Sequence, residues 1–166
     1  YAFLTEPRKA LLDIWLFANC SLCVSTGTGP DSISGMFCRP ILFLGCNPII
    51  NLWSWGPFHS APKLLKWRDS EKILTLPEQL SHSYTRTEQY ADNGIEVVDL
   101  KSNEILEEIK EKWSRINGEW KDTFEDVQNR LAAWDIIQEY GFERELIYPE
   151  VGLSTSFLRR HPTFLY

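Results

Sequence analysis

Apolar positions recur along this chain with two different periods. Between Pro7 and Asn19, Leu11, Leu12, Trp15 and Leu16 fall at helical spacing, and Pro7 suits a first turn, so a helix is predicted there. Ser21 to Thr26 and Ile41-Leu42-Phe43-Leu44 are short apolar runs without alternation, the pattern of parallel strands covered on both faces. Between them Asp31 to Phe37 reads as a short helix that stops before Arg39-Pro40. After Gly45 the stretch "CNPIINLWSWGPFHSAPKLL" is rich in Trp, Pro and Asn and reads as a long irregular loop. Glu78 to Asp92 is predicted helical, closed by Asn93-Gly94, and Ile95 to Asp99 is a third strand. Ser102 or Asn103 then caps a helix whose apolar stripe is Ile105, Leu106, Ile109, Trp113 and Ile116, with Glu107/Glu111 and Glu108/Lys112 on the solvated side. Asp122 and Glu125 resemble a capping box, followed by a stripe of Phe124, Val127, Leu131, Trp134 and Ile137 up to Gly141. Ser154 to Arg160 is a last short helix before Pro162.

Strands that alternate with helices predict an α/β fold, a Rossmann-like parallel sheet flanked by helices with extra helices at the C-terminus. One domain over residues 1–166 is expected, with residues 119–166 as a helical extension. The 166 residues, 43% of them hydrophobic, can bury roughly 70% of the unfolded surface. The formal charge of -6 gives the chain no overall attraction for nucleic acid. No apolar run reaches the ~18 residues of a membrane span. Cys20 and Cys23 have CxxC spacing, but no second pair follows, so with Cys38 and Cys46 they read as free thiols in a reducing compartment rather than zinc ligands. The chain opens on Tyr1 close to an apolar-periodic segment, and the expectation is the C-terminal part of a longer protein.

Ligands in open α/β sheets bind beyond the carboxyl ends of the strands, which singles out two loops. The first is "STGTGPDS", Ser25 to Ser32. Gly27 and Gly29 permit positive φ, Thr26, Thr28 and Ser32 supply hydroxyls, and the helix start that follows offers free N–H groups. That is what a diphosphate needs, but a strand-to-helix turn with a Ser/Asp cap needs the same residues, and both readings stand. Asp31 would repel phosphate and suits a cap or a sugar hydroxyl, while Pro30 removes one N–H. The second loop carries Trp53, Trp55, His59 and Lys63. The indoles could stack on a base or sugar face or fill the core. Lys63 could neutralise a phosphate or be solvated, and His59 is the candidate general base or a structural histidine. Arg159-Arg160-His161 is a small basic cluster that helix-end capping also explains.

The run "DIWLFANCSLCVSTGTGPDSISGMFCRPILFLG", continued by "WSWGPFHSAPKLL", "ILTLPEQL", "NGIEVVDLKSNEILEEIKE" and "SFLRRHPTFL", resembles the C-terminal domain of a bacterial family of glycosyltransferases of the two-domain GT-B architecture, found in surface-carbohydrate gene clusters. The resemblance implies a donor-binding domain whose loop at Gly27 to Ser32 faces the diphosphate of a nucleotide sugar. It implies transfer of a sugar, hexosyltransferase-like, to a glycan or lipid-linked acceptor in polysaccharide biosynthesis, without a metal or other cofactor. It further implies an N-terminal acceptor domain as partner and a location in the cytoplasm or at the inner face of the membrane. The alternatives are a sugar-nucleotide epimerase of similar architecture and a non-catalytic nucleotide-binding scaffold.

Overall fold

The computed structural model describes residues 10–52, 56, 58–140 and 152–166. The described elements are α1 (Ala10–Asn19), β1 (Cys23–Ser25), α2 (Asp31–Met36), β2 (Ile41–Cys46), a 3₁₀ turn (Ile49–Asn51), β3 (Phe58–Pro62), β4 (Leu64–Trp67), α3 (Leu76–Ser81), α4 (Thr87–Asp92), β5 (Ile95–Val98), α5 (Ser102–Ile116), α6 (Phe124–Glu139), β6 (Gly152–Leu153) and α7 (Thr155–Arg160). The fold is α/β: β1, β2, β3 and β6 form a parallel four-stranded sheet in that order, and helices flank it. A separate antiparallel pair joins β4 to β5.

The pleat of β2 sorts its side chains onto two cores. Ile41 and Phe43 face one way and meet Cys23, Phe58 and Phe17 of α1. Leu42 and Leu44 face the other way, into the main core with Ala61, Trp134, Ile137, Leu153, Phe157 and Phe164. Both faces being covered is why these strands read as unbroken apolar runs. The described residues after position 119 supply one strand of the sheet and much of its larger core.

Several sequence expectations change in the structure. The "irregular" loop after Gly45 contains β3, a fully buried inner strand between β2 and β6. The expected helix Glu78 to Asp92 is two helices, α3 and α4, the first started by a capping box in which Thr75 N–H donates to the Glu78 carboxylate at 2.8 Å. The expected third strand of the parallel sheet, β5, pairs antiparallel with β4 and, among the described strands, with no other. The α6 cap is also one residue later than the pattern suggested, on Thr123 with Asp126.

The largest departure is the orientation of α5. Glu108, Glu111 and Lys112, expected in solvent, are 0%, 1% and 3% exposed, whereas Leu106 and Trp113 are about half exposed. In α6, likewise, Arg130 and Asp126 are buried while Phe124 lies outside. The cause is the start of α7. Glu111 accepts hydrogen bonds from the Thr155 and Ser156 N–H groups at 3.1 and 2.6 Å, placing a carboxylate on the first turn of that helix. Arg115 donates from Nε to Glu111 at 2.8 Å and from Nη1 and Nη2 to Asp122 at 2.9 and 2.7 Å. Arg130 reaches the same Asp122 at 2.8 Å and the Thr155 hydroxyl at 2.8 Å. Glu108 accepts from the Ser154 hydroxyl and from Arg160. Trp120 donates to Asp122 at 2.9 Å, and its ring lies 5.1 Å from the Arg115 guanidinium and 5.3 Å from that of Arg159. Lys112 lies against the His59 ring; the other charges enter as a set because each finds an opposite charge or a backbone donor.

Removing one member leaves its partners buried and unpaired, which costs about 3–5 kcal/mol for a buried pair. Glu111→Ala should lower unfolding free energy by about that amount and Glu111→Gln by less, since the amide oxygen can still accept from one N–H. Urea titration followed by tryptophan fluorescence measures both. A loss under ~1 kcal/mol for Glu111→Ala would mean that the charges do not hold α7.

Candidate functional site

The carboxyl ends of β1 and β2 meet at the glycine loop. Gly27 and Gly29 have φ of 80° and 93°, and a Cβ added to either would meet nothing within 4 Å. Glycine is needed there for the backbone angle and not for room. Ser25, the last residue of β1, ties the loop at both ends: its hydroxyl donates to Asp31 Oδ2 at 2.6 Å and accepts from the Gly27 N–H at 3.0 Å. The start of α2 is closed on itself. The Ser32 and Ile33 N–H groups donate to the Gly29 and Pro30 carbonyls at 3.0 and 3.1 Å, and the Ser32 hydroxyl also turns back onto Gly29 O at 2.5 Å. Thr26 and Thr28 are exposed and present their side chains to solvent.

Two cavities flank this loop and share Thr26. One, of about 250 Å³, is lined by Phe17, Cys23, Ser25, Thr26, Thr28 and Asp31 among others. The other, of about 170 Å³, lies at the end of β2 between Thr26, Gly27, Phe43, Cys46, Asn47 and Asn51. Each is smaller than the roughly 300–1,000 Å³ of a pocket for a whole small ligand, so each suits one ring of a larger molecule. Asn47 lies against the Tyr90 hydroxyl, whose single proton is shared between Asn47 Oδ1 at 3.2 Å and the Tyr84 carbonyl at 2.9 Å. Neither thiol in these walls is a ready nucleophile. Burial pushes the Cys46 thiol up to about 12 and raises that of Cys23 as well. Among the described residues, no group of His, Cys, Asp and Glu side chains is arranged to hold a metal ion.

Lys63 follows β3 at the same end of the sheet. Its stem lies over Gly45, where an added Cβ would come within 3.3 Å of the lysine Cε. Its ammonium pairs with Asp99 at 2.6 Å, but Asp99 is 80% exposed. Such a surface pair is worth about 1 kcal/mol or less and can yield to a stronger anion. Trp53 and Trp55 lie outside the described residues. The Gly27-to-Ser32 stretch, Asp31 and Lys63 thus sit around one end of the sheet, while the Ser32 hydroxyl and N–H are already spent. Sequence reasoning missed Ser25, Asn47 and Asn51. Asn47 was findable, standing just beyond the glycine that ends the β2 apolar run.

His59 is placed elsewhere. It is the second residue of β3, toward the amino end of the sheet, 3% exposed and paired in register with Leu42 and Gly152. Lys112 Nζ lies 2.6 Å from its Nδ1. An ammonium can only donate, so Nδ1 accepts and the ring proton sits on Nε2, which meets no acceptor. Burial, then the nearby Lys112 charge, hold its pKa well below the ordinary histidine value. None of the cavities described above is lined by it. Two larger cavities, of about 380 and 350 Å³, lie against α7, but their arginines are committed: Arg159 to Asp126, and Arg160 to Glu107 and Glu108. Hydrogen bonds from Arg159 bring Asp126 down to about 2 despite its burial.

Comparison with family models, with characterised proteins and with solved structures finds no match for this chain. No described helix is long and apolar enough to cross a membrane.

The buried histidine sets a pH dependence. A histidine whose folded pKa is depressed binds its proton more readily when unfolded, so stability is present above the unfolded value and lost as pH falls through it. His161, lowered chiefly by burial, acts with the same sign. Acidification from about pH 7 to about 5.5 should therefore cost about 1 kcal/mol through His59 alone. His59→Asn keeps an acceptor for Lys112 and should flatten the slope in pH-stepped urea titrations. An unchanged slope would exclude His59 as the titrating group.

Proposed function

We propose that this chain is the donor-binding part of a nucleotide-sugar-dependent glycosyltransferase. The observation that carries the reading is the pair of cavities at the carboxyl ends of β1 and β2, on either side of a loop whose two glycines hold positive φ. A parallel α/β sheet supplies that position for a ligand, and the resemblance of the motif order to the GT-B family agrees with it. On this reading the two small cavities take two rings, and the exposed Thr26, which lines both, supplies a hydroxyl to the linking diphosphate. Thr28 and the Lys63 ammonium add donors at the same end. The α2 start contributes less than its sequence promises, because the Ser32 and Ile33 N–H groups close onto the loop carbonyls.

Transfer of a sugar to an acceptor hydroxyl needs a leaving diphosphate stabilised by fixed donors and a base for the acceptor proton. The described cavities supply hydroxyls and amides for the first task. With both cavity thiols protonated and His59 buried, this reading gives the chain the donor-binding role and takes the acceptor and its base from elsewhere in the enzyme.

The reading predicts that nucleoside diphosphate hexoses bind in the micromolar-to-millimolar range and that release of nucleoside diphosphate follows when an acceptor glycan is added. Thr26→Ala with Lys63→Ala should weaken binding by about tenfold, the loss of one or two charge-assisted hydrogen bonds. Calorimetry over a panel of uridine, guanosine, cytidine, adenosine and thymidine diphosphate sugars checks it. The absence of binding to every member would remove the reading.

A further inference from the structure

The loop holds one polar group that neither the fold nor a phosphate explains. Asp31 is 2% exposed. Its Oδ2 accepts from Ser25, but its Oδ1 is sealed from solvent and has no hydrogen-bond partner. The side chain does not cap α2, whose start carries no side-chain cap bond. A buried carboxylate oxygen without a donor is costly to keep, and folded proteins rarely retain one without cause. Asp31 also lines the cavity that it shares with the Thr26 and Thr28 side chains. Nothing cationic lines that cavity. A carboxylate accepts hydrogen bonds and repels anions, so this half of the site is chemically unlike a phosphate cradle.

We infer that Asp31 is a specificity-determining residue whose free Oδ1 accepts a hydrogen bond from a ring hydroxyl of the ligand, so that the cavity beside it takes the neutral, hydroxyl-bearing ring and the diphosphate lies outside it. This rests on the donor-binding reading above and deepens it. Ser25 fixes the carboxylate by holding Oδ2; Oδ1 is covered in the unliganded loop, so the ring hydroxyl reaches it as the exposed segment from Thr26 to Pro30 gives way. A hydroxyl entering there replaces a missing hydrogen bond, whereas a deoxy analogue leaves the carboxylate oxygen unpaired. Discrimination by a buried acceptor of this kind is stronger than discrimination by fit alone. The shared chemistry is a vicinal-hydroxyl ring, and it has two sources, the transferred sugar and the ribose of the nucleotide.

The test compares wild type with Asp31→Asn, which keeps the shape and the bond to Ser25 but puts a donor where the free acceptor stood. Calorimetry uses UDP- and GDP-hexoses, the corresponding diphosphates without sugar, and their 2′-deoxy forms. Thermal melting of each protein without ligand accompanies it. The expected result is affinity for the nucleotide sugar lowered by at least about tenfold, with a melting temperature no lower than wild type. A loss confined to the sugar-bearing ligands assigns Oδ1 to the sugar. A loss shared by the plain diphosphates, and absent for their deoxy forms, assigns it to the ribose. Unchanged affinity overturns the inference, as does a fall of several degrees in melting with unchanged affinity, which makes Asp31 purely structural. If wild type binds no nucleotide sugar, the glycosyltransferase reading fails, and free hexoses and ribose at tens of millimolar decide the inference. Thermal protection of wild type that Asp31→Asn loses sustains it, and no protection of wild type overturns it.

Discussion

The carboxylate of Glu111 on the first turn of α7 is the contact on which the C-terminal half of this molecule depends. Two backbone N–H groups at the end of the sheet need an acceptor, and the residue that supplies it stands on a helix some forty positions earlier. Once Glu111 turns inward, Arg115 must follow to balance it, Asp122 to balance Arg115, and Arg130 to share Asp122. Burial works against the charge of Asp122, but hydrogen bonds from Arg115 and Arg130 outweigh it and hold that carboxyl well below the usual range. The outcome locks α5, α6 and α7 against β6, and through β6 against β3.

The same constraint fixes what the face toward α5 can do. His59 lies on it beside Lys112, neutral and enclosed, and serves packing and pairing. The proposed ligand site falls instead where β1 and β2 stop and the glycine loop turns. That end is assembled from local interactions: Ser25 to Asp31, Gly27 to Ser25, Ser32 to Gly29. A site built from a short loop after β1 can be reshaped without disturbing the charge network beside β6, at the other edge of the sheet.

How far the sequence foretold this varies with the reach of the interactions involved. β1, the loop, α2 and β2 were legible because apolar run, glycines, Pro30 and helix start all lie within one short segment and agree. β3 was hidden because "FHSAP" has no β-branched residue and carries a histidine and a proline, so it is a strand only by virtue of the neighbours on both sides. The α5 periodicity shows two stripes, one apolar and one charged, and both reach the core: Ile105 and Ile109 pack against it as the pattern implies, but Glu108, Glu111 and Lys112 turn in beside them while Leu106 and Trp113 lie half out. How far the charged stripe turns inward is decided by the donors of Thr155 and Ser156, far along the chain, and periodicity carries no record of them. Asp31 was legible as a polar residue of the loop, but its free buried oxygen is a property of the packed loop alone.

The central claim is that the working end of this molecule is the glycine loop and not the charged face of α7. Backbone amide NMR of the protein titrated with the nucleoside diphosphate sugar that binds it best tests this directly. The account predicts chemical-shift changes concentrated at Thr26 to Asp31 and at Cys46 to Asn51, with Lys110 to Arg115 and Thr155 to Arg160 unmoved. Changes centred on α5 and α7, with the glycine loop silent, would contradict it.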